Sequence, residues 1–287
     1  MTARFITACL TLSTLLAAGG AAPGQVIIHR YTFNGNANDS VGTANATLVN
    51  ASTSNSQLIL DNGAGVASNT PTGKYATLPA AAFPTGAGGL TSFTIESFYN
   101  WVGQPGQTWA RLVDINNGAA VSNYLFLTPR SGAQPINTVR YAITNNGSGN
   151  EFQVNGIDQS PFGAPTFMAM TYDLATTTGT LYIGSAGALT MVGQNFTMPL
   201  DPTQLTGITN RWIGRSPFDG DPLFNGTIDQ LDIFNGARSP AQVQADFLLG
   251  PVPAPVPEPT TLALTGAAAV GFALWRRRAI HRPPNCA

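Results

Sequence analysis

Residues 92–101 read Ser-Phe-Thr-Ile-Glu-Ser-Phe-Tyr-Asn-Trp, and they constrain the fold more than any other stretch. On an extended chain Phe93, Ile95, Ser97, Tyr99 and Trp101 share one face, and Thr94, Glu96 and Asn100 share the other. Phe98 interrupts the polar face. A strand with apolar residues on both sides needs cover on both sides, as a sandwich of sheets provides. Further strand-like runs cover 26–33, 111–115, 124–128, 138–144, 151–154, 166–172, 180–183, 211–214 and 226–234. Turn chemistry separates them, as in residues 34–42 and in Asn145-Asn146-Gly147-Ser148-Gly149. The 31 Gly and 21 Pro suit many turns between short strands. One helix signal stands near the end: Ser239 is an N-cap before Pro240 at the first helical position. Ala241, Val243, Ala245, Phe247 and Leu248 follow, and Gly250-Pro251 stop it. The expected fold class is all-β, a β-sandwich with one short helix.

Both ends of the chain read as export signals. Residues 1–25 hold Arg4, an apolar run over 5–18 and small residues over 19–22, the layout of a secretory signal peptide with its short helix. At the other end, residues 260–275 carry no charge. A full membrane span takes ~20 apolar residues, so this run makes a short transmembrane helix that spans with local thinning. Trp275 suits the headgroup level. Arg276, Arg277 and Arg278 follow at once and stay cytoplasmic by the positive-inside rule. The expected organisation is a signal peptide (1–25), a body (26–250), a Pro-rich linker (251–258), a membrane and sorting segment (259–278) and a cytoplasmic tail (279–287). The body then lies outside the cytoplasmic membrane.

Composition narrows the chemistry of that body. The chain has two Cys, and Cys9 and Cys286 both fall outside residues 26–250. The body therefore has no disulfide framework, no thiolate nucleophile and no Cys-ligated zinc. Of two His, only His29 lies in it, which excludes a His-ligated zinc site within one chain. Charged residues make up 9% of the chain, against a usual ~25%. Net charge is −1, so no electrostatic footprint for nucleic acid exists.

Two resemblances follow from these residues. Val256-Pro257-Glu258-Pro259, then Ala267-Ala268-Ala269-Val270-Gly271, then Arg276-Arg277-Arg278 resemble the PEP-CTERM sorting signal of bacterial surface proteins. That resemblance implies an exosortase-type processing enzyme acting at Pro257, Glu258 and Pro259, and delivery of the body to the cell surface or extracellular matrix. An ordinary, unprocessed membrane anchor is the alternative. The second resemblance runs through the body. It comprises the opening 31–40, Ser92-Phe93-Thr94-Ile95-Glu96-Ser97-Phe98, Met170-Thr171-Tyr172-Asp173 with Thr178-Gly179-Thr180-Leu181-Tyr182-Ile183, Arg211-Trp212-Ile213-Gly214-Arg215, and Gly226-Thr227-Ile228-Asp229-Gln230-Leu231-Asp232-Ile233-Phe234. In order, these look like a LamG-like, concanavalin A-like lectin/glucanase jelly-roll domain.

Few residues offer chemistry. The body's Glu residues are Glu96 and Glu151. No Glu-x-Asp-x-x-Glu array is present, and retaining glycosidases need two carboxyls ~5 Å apart. Asp229 and Asp232 are three apart, which on a regular strand puts them on opposite faces. Glu96 reads as a structural position. His29 lacks a nucleophile elbow and reads as a strand histidine with a satisfied ring. The resemblance implies a structural calcium between Asp229 and the turn over 34–39, with Asp39 and Asp229 as ligands. Turn capping by hydrogen bonds is the other reading. Of the body's tryptophans, Trp101 and Trp212 are expected in the core. Trp109, flanked by Gly and Gln in a loop, is the candidate ligand contact. Three functions are in play: a non-catalytic binding module for carbohydrate or a matrix protein, a structural matrix component without a discrete ligand, and a divergent glycoside hydrolase. The first is favoured.

Overall fold

A computed structural model describes residues 25–104 and 107–252. The signal peptide, the linker beyond Val252, Pro257-Glu258-Pro259, the transmembrane segment and Arg276 to Arg278 lie outside the described residues. In chain order the strands are β1 (Ile27–Tyr31), β2 (Thr47–Val49), β3 (Ser52–Ser54), β4 (Gln57–Leu60), β5 (Tyr75–Thr77), β6 (Phe93–Trp101), β7 (Val113–Asn116) and β8 (Tyr124–Thr128). They continue as β9 (Arg140–Thr144), β10 (Phe152–Asn155), β11 (Pro165–Asp173), β12 (Thr178–Ser185), β13 (Ala188–Asn195), β14 (Asn210–Ile213) and β15 (Gly226–Phe234), before the helix α1 (Pro240–Leu249).

Two antiparallel sheets face each other. One runs β13-β12-β11-β6-β15-β4-β3, with β1 also paired to β15; the other runs β10-β9-β8-β7-β14-β5-β2. Their inner faces interlock through one core. Ile95, Tyr99, Trp101, Met168, Met170, Ile228, Leu231 and Ile233 come from the first sheet, and Val113, Ile115, Leu125, Leu127, Tyr141, Ile143 and Ile213 from the second. The alternation in β6 is realised, and its second face is covered too. Phe98 packs with Phe167 and with Phe247 of α1 on the outer face of the eight-stranded sheet. Burying a side chain of this size contributes ~1.5–3 kcal/mol, which explains why a ten-residue helix stays docked there.

The helix forms where the N-cap signal stands. Ser239 and Gln242 make a reciprocal capping box, and Pro240 opens the first turn. Arg238 and Asp246 pair across it. Both ends of the described chain are pinned to the eight-stranded sheet. The Val26 amide donates to Asn235 at 2.9 Å, and the Val252 amide to Gln230 at 2.7 Å.

Two sequence expectations change. Trp212 is half-buried on the outer face of its sheet, because Arg211 and Ile213 take the core side of β14. It carries the Arg215 guanidinium 4.5 Å from its ring and meets Tyr75 edge-on. Asp229 sits at a register shift between Ile228 and Gln230, so simple alternation fails there. It lines a groove with Phe98 and Phe247 and accepts from Gln57 at 2.5 Å.

Asp39 is the other residue that the resemblance makes a calcium ligand. Its Oδ1 accepts the backbone N–H of Arg30, Val41 and Gly42, and its Oδ2 accepts from Ala44 N–H and pairs with His29 Nδ1 at 2.6 Å. Burial raises the Asp39 pKa, but the Gly42, His29, Arg30 and Val41 donors outweigh it and hold the group down at about 2. Four backbone N–H groups and His29 occupy the two oxygens of this carboxylate, which leaves little room for a cation. Among the described residues no group of three His, Cys, Asp or Glu side chains could hold a metal. His29 Nε2 lies 3.1 Å from the Ala81 carbonyl, so its ring is satisfied on both sides.

Candidate functional site

The outer face of the seven-stranded sheet holds an unusual set of side chains. Asp114 and Asn116 of β7, Tyr124 and Phe126 of β8, and Arg140 and Ala142 of β9 are all buried although they point away from the core. Loops cover them. Trp109 and Phe218 pack on Tyr124, Phe126 and Ala142 as a second apolar cluster. Trp109 meets Phe126 edge-on at 6.2 Å, and Phe218 meets Tyr124 edge-on at 5.8 Å.

Trp109 is held by its backbone. Its φ of 71° is left-handed, a conformation with a steric cost for a bulky residue. Its amide donates to the Arg130 carbonyl at 2.8 Å. Gly132 lies against the indole: a Cβ there would fall 2.7 Å from Trp109 Nε1 and from Thr108 Oγ1. A strained backbone held this firmly beside a cavity is a common property of binding sites.

Arg111 is the centre of the cluster and is 2% exposed. Its guanidinium carbon lies 3.7 Å from the Phe126 ring centroid and 5.2 Å from that of Trp109. Nη2 donates to Asp221 at 3.3 Å. Nε stands 3.2 Å from Asp114 Oδ2, close enough for an ion pair but not aligned as a hydrogen bond. Nη1 has no partner among the described residues. On the far side of Trp109, Arg140 lies 5.3 Å from the indole. It donates to the carbonyls of Ala133 and Gln134 and to Asn155, while its Nη1 is 4.0 Å from Glu151 and unpartnered.

The acids around these arginines are themselves anchored. Glu151 accepts from Tyr124 at 2.7 Å and Gln153 at 2.9 Å. Asp221 accepts from Ser216 at 2.6 Å. Burial pushes Asp114 up to about 7, against the pull of Arg111 and the Asn116 hydrogen bond. Burial also raises Asp221 and lowers Arg140. Desolvation thus dominates each of the three shifts, as expected of charges held under loops.

A cavity of about 190 Å³ opens here, lined by Trp109, Arg111, Ser148, Glu151, Phe218 and Asp221. An indole beside a cavity, with guanidinium donors and carboxylate acceptors around it, can take an apolar ring face and a rim of hydroxyls. Of the residues picked out in sequence, Trp109 lies in this cavity. Asp39 and Asp229 belong to the other sheet. Sequence reasoning missed Arg111, Glu151, Phe218 and Asp221. The available signal was the pair Arg111 and Asp114 inside the otherwise apolar run 110–115.

The family model of the concanavalin A-like lectin/glucanases superfamily matches residues 70–244, well over half of the chain. The chain belongs to this superfamily. In this concanavalin A-like protein a PEP-CTERM protein-sorting motif also matches residues 255–278, which marks an exported, cell-surface protein. No curated protein matches. Among solved structures, domain 4 of AbnA, a GH43 extracellular arabinanase from Geobacillus stearothermophilus, is similar. It has 18% identity and a TM-score of 0.57, covering 77% of this chain and 98% of that one. The CBM40 of Ruminococcus gnavus IT-sialidase has 16% identity and a TM-score of 0.45, covering 54% and 82%. At 18% identity the likeness to AbnA domain 4 bears on the fold alone.

Proposed function

We propose that this concanavalin A-like protein is a non-catalytic carbohydrate-binding module displayed at the cell surface or in the extracellular matrix. The observation that carries the reading is Arg111, buried with a free Nη1 beside the half-exposed Trp109. An unmet buried donor costs ~1–3 kcal/mol, and a ligand hydroxyl would recover it. AbnA domain 4 was solved with arabinotriose, which agrees with this reading. The sorting motif supplies the route: an exosortase-type enzyme acts near Pro257-Glu258-Pro259 on a precursor held by residues 259–278. Among the described residues no helix is long and apolar enough to cross a membrane.

The non-catalytic reading rests on engagement of the acids. Glu151 and Asp221 line one cavity, as a hydrolase would require, yet Tyr124 and Gln153 hold one and Ser216 and Arg111 the other. The test is a glycan array with the full chain and with Arg111→Met. Binding lost in the variant supports the module. Sugar release from a polysaccharide panel, abolished by Glu151→Gln, would replace it with a hydrolase. Silence on both would leave a structural matrix component.

A further inference from the structure

We infer that the ligand is an uncharged oligosaccharide that straddles Trp109 and fills one subsite on each side of it. The inference rests on the binding reading above and goes on to ligand class and length.

Two cavities share a wall. The 190 Å³ cavity and a second of about 400 Å³ are both lined by Trp109 and Asp221. The larger adds Gln104, Gln107, Thr108 and Gly220, so its polar groups are amides and a hydroxyl, and Asp221 is its one charged lining residue among the described residues. Such a lining suits hydroxyls and offers a carboxylate no counter-ion. A ligand crossing the indole edge would occupy both spaces at once.

The charge count points the same way. Two guanidinium groups, Arg111 and Arg140, stand among three carboxylates, Asp114, Glu151 and Asp221. An acidic sugar would bring a further carboxylate to a cavity already lined by Glu151 and Asp221. Burial raises Asp114 and Asp221, so the site resists even the anions it has. The two linings carry groups of both kinds. Arg111 Nη1 and Gln107 Nε2 are unmet donors, and the Glu151 and Asp221 carboxylates are acceptors. A hydroxyl both gives and takes a hydrogen bond, whereas a carboxylate only accepts.

The test uses the full chain in detergent and immobilised ladders of one to six units. Neutral ladders are gluco-, xylo-, manno- and arabino-oligosaccharides; acidic ladders are oligogalacturonate and oligoguluronate. Affinity is expected to rise on the order of tenfold from one unit to two or three and then level off, with acidic ladders weaker by a similar factor. Gln107→Ala, in the lining of the larger cavity, is expected to lower affinity for the trimer by a larger factor than affinity for the monomer. A melting curve matching the parent checks its fold. Stronger binding to an acidic ladder, or equal affinity for one unit and three, overturns the inference while leaving a glycan-binding module. No binding to any ladder overturns both.

Discussion

The Arg111 guanidinium carbon lies over the Phe126 ring, 3.7 Å from its centroid, where a surface arginine would reach for water. The stack fixes the plane of the fork, and with it the direction in which the free Nη1 points. Arg111→Lys keeps the charge and loses both the plane and the fork. We expect Arg111→Lys and Arg111→Met to weaken glycan binding alike, by ~1.5–3 kcal/mol, the worth of a hydrogen bond to a charged group. Calorimetric titration checks this. Full affinity in the Lys variant would show that charge alone matters.

Gly132 gives a second test that leaves every ligand-facing side chain chemically intact. Gly132→Ala pushes a methyl against Trp109 Nε1 and Thr108 Oγ1. The indole must shift, and affinity is expected to fall at least ~10-fold, since small misplacements in a preorganised site are costly. Tryptophan fluorescence on saturation with ligand reports whether the ring has moved.

Glu96 is 2% exposed, and its Oε1 has no partner among the described residues. Arg30 donates twice to Asp232, and Arg238 pairs with Asp246, so both nearby arginines are already engaged. Burial, then Asp246, pushes the Glu96 carboxyl well above its ordinary range, against Arg238. The sign follows from the proton balance. As pH rises past ~4, the unfolded chain releases this proton while the folded one keeps it, so stability falls until the folded group ionises too. Glu96→Gln is expected to raise the melting temperature at pH 8, by ~1–3 kcal/mol in stability, with no gain at pH 4. Equal effects at both pH values would mean that a lost packing contact, rather than charge, sets the outcome.

Asp39 behaves in the opposite sense. Burial raises it, but the Gly42 amide, His29 and two further amides hold it at about 2, below the 3.8 of a free Asp. Its stabilisation is complete above pH ~4 and is lost as pH falls toward 2. Asp39→Ala leaves four backbone donors unmet and is expected to cost at least ~1–3 kcal/mol at neutral pH. Because those donors fill the place of a cation, parent melts with calcium and with chelator should coincide. A calcium-dependent melt would reopen the metal reading at Asp229.

At the sorting motif, Glu258→Ala lies outside the apolar run and should leave insertion intact while blocking processing. The variant should accumulate as full-length, membrane-bound precursor. Val270→Arg should instead prevent anchoring, since a central Arg costs ~2.5–3.5 kcal/mol on an insertion scale. Intact mass of the surface and membrane fractions separates the two outcomes. A Glu258 variant processed like the parent would leave a plain anchor.

Much of the fold was legible because β6, β11, β12 and β15 each spell out their alternation and end in turn residues. The short strands β2, β3, β4 and β5 were not, since three or four residues carry too little periodicity. β13 was missed because it is an edge strand whose residues are exposed or half-buried, with no apolar face to betray it. Trp212 misled because a large aromatic reads as core, while β14 gives that side to Arg211 and Ile213. The site was legible only at Trp109. Arg111, Glu151, Phe218 and Asp221 are spread over a hundred residues of chain, and sheet pairing rather than local spacing gathers them.

The pinning of Val26 to Asn235 and of Val252 to Gln230 has a directional result. Both attachment points belong to the eight-stranded sheet, and the Trp109 cavity opens on the opposite side of the sandwich. The described chain therefore ends, at Val252, on the side of the eight-stranded sheet. The proposed recognition face is on the other side from that end, as a palm is from the back of the hand. A pull applied at Val252 would be delivered first to β15, which lies between β6 on one side and β1 and β4 on the other, so the load would be spread over the sheet.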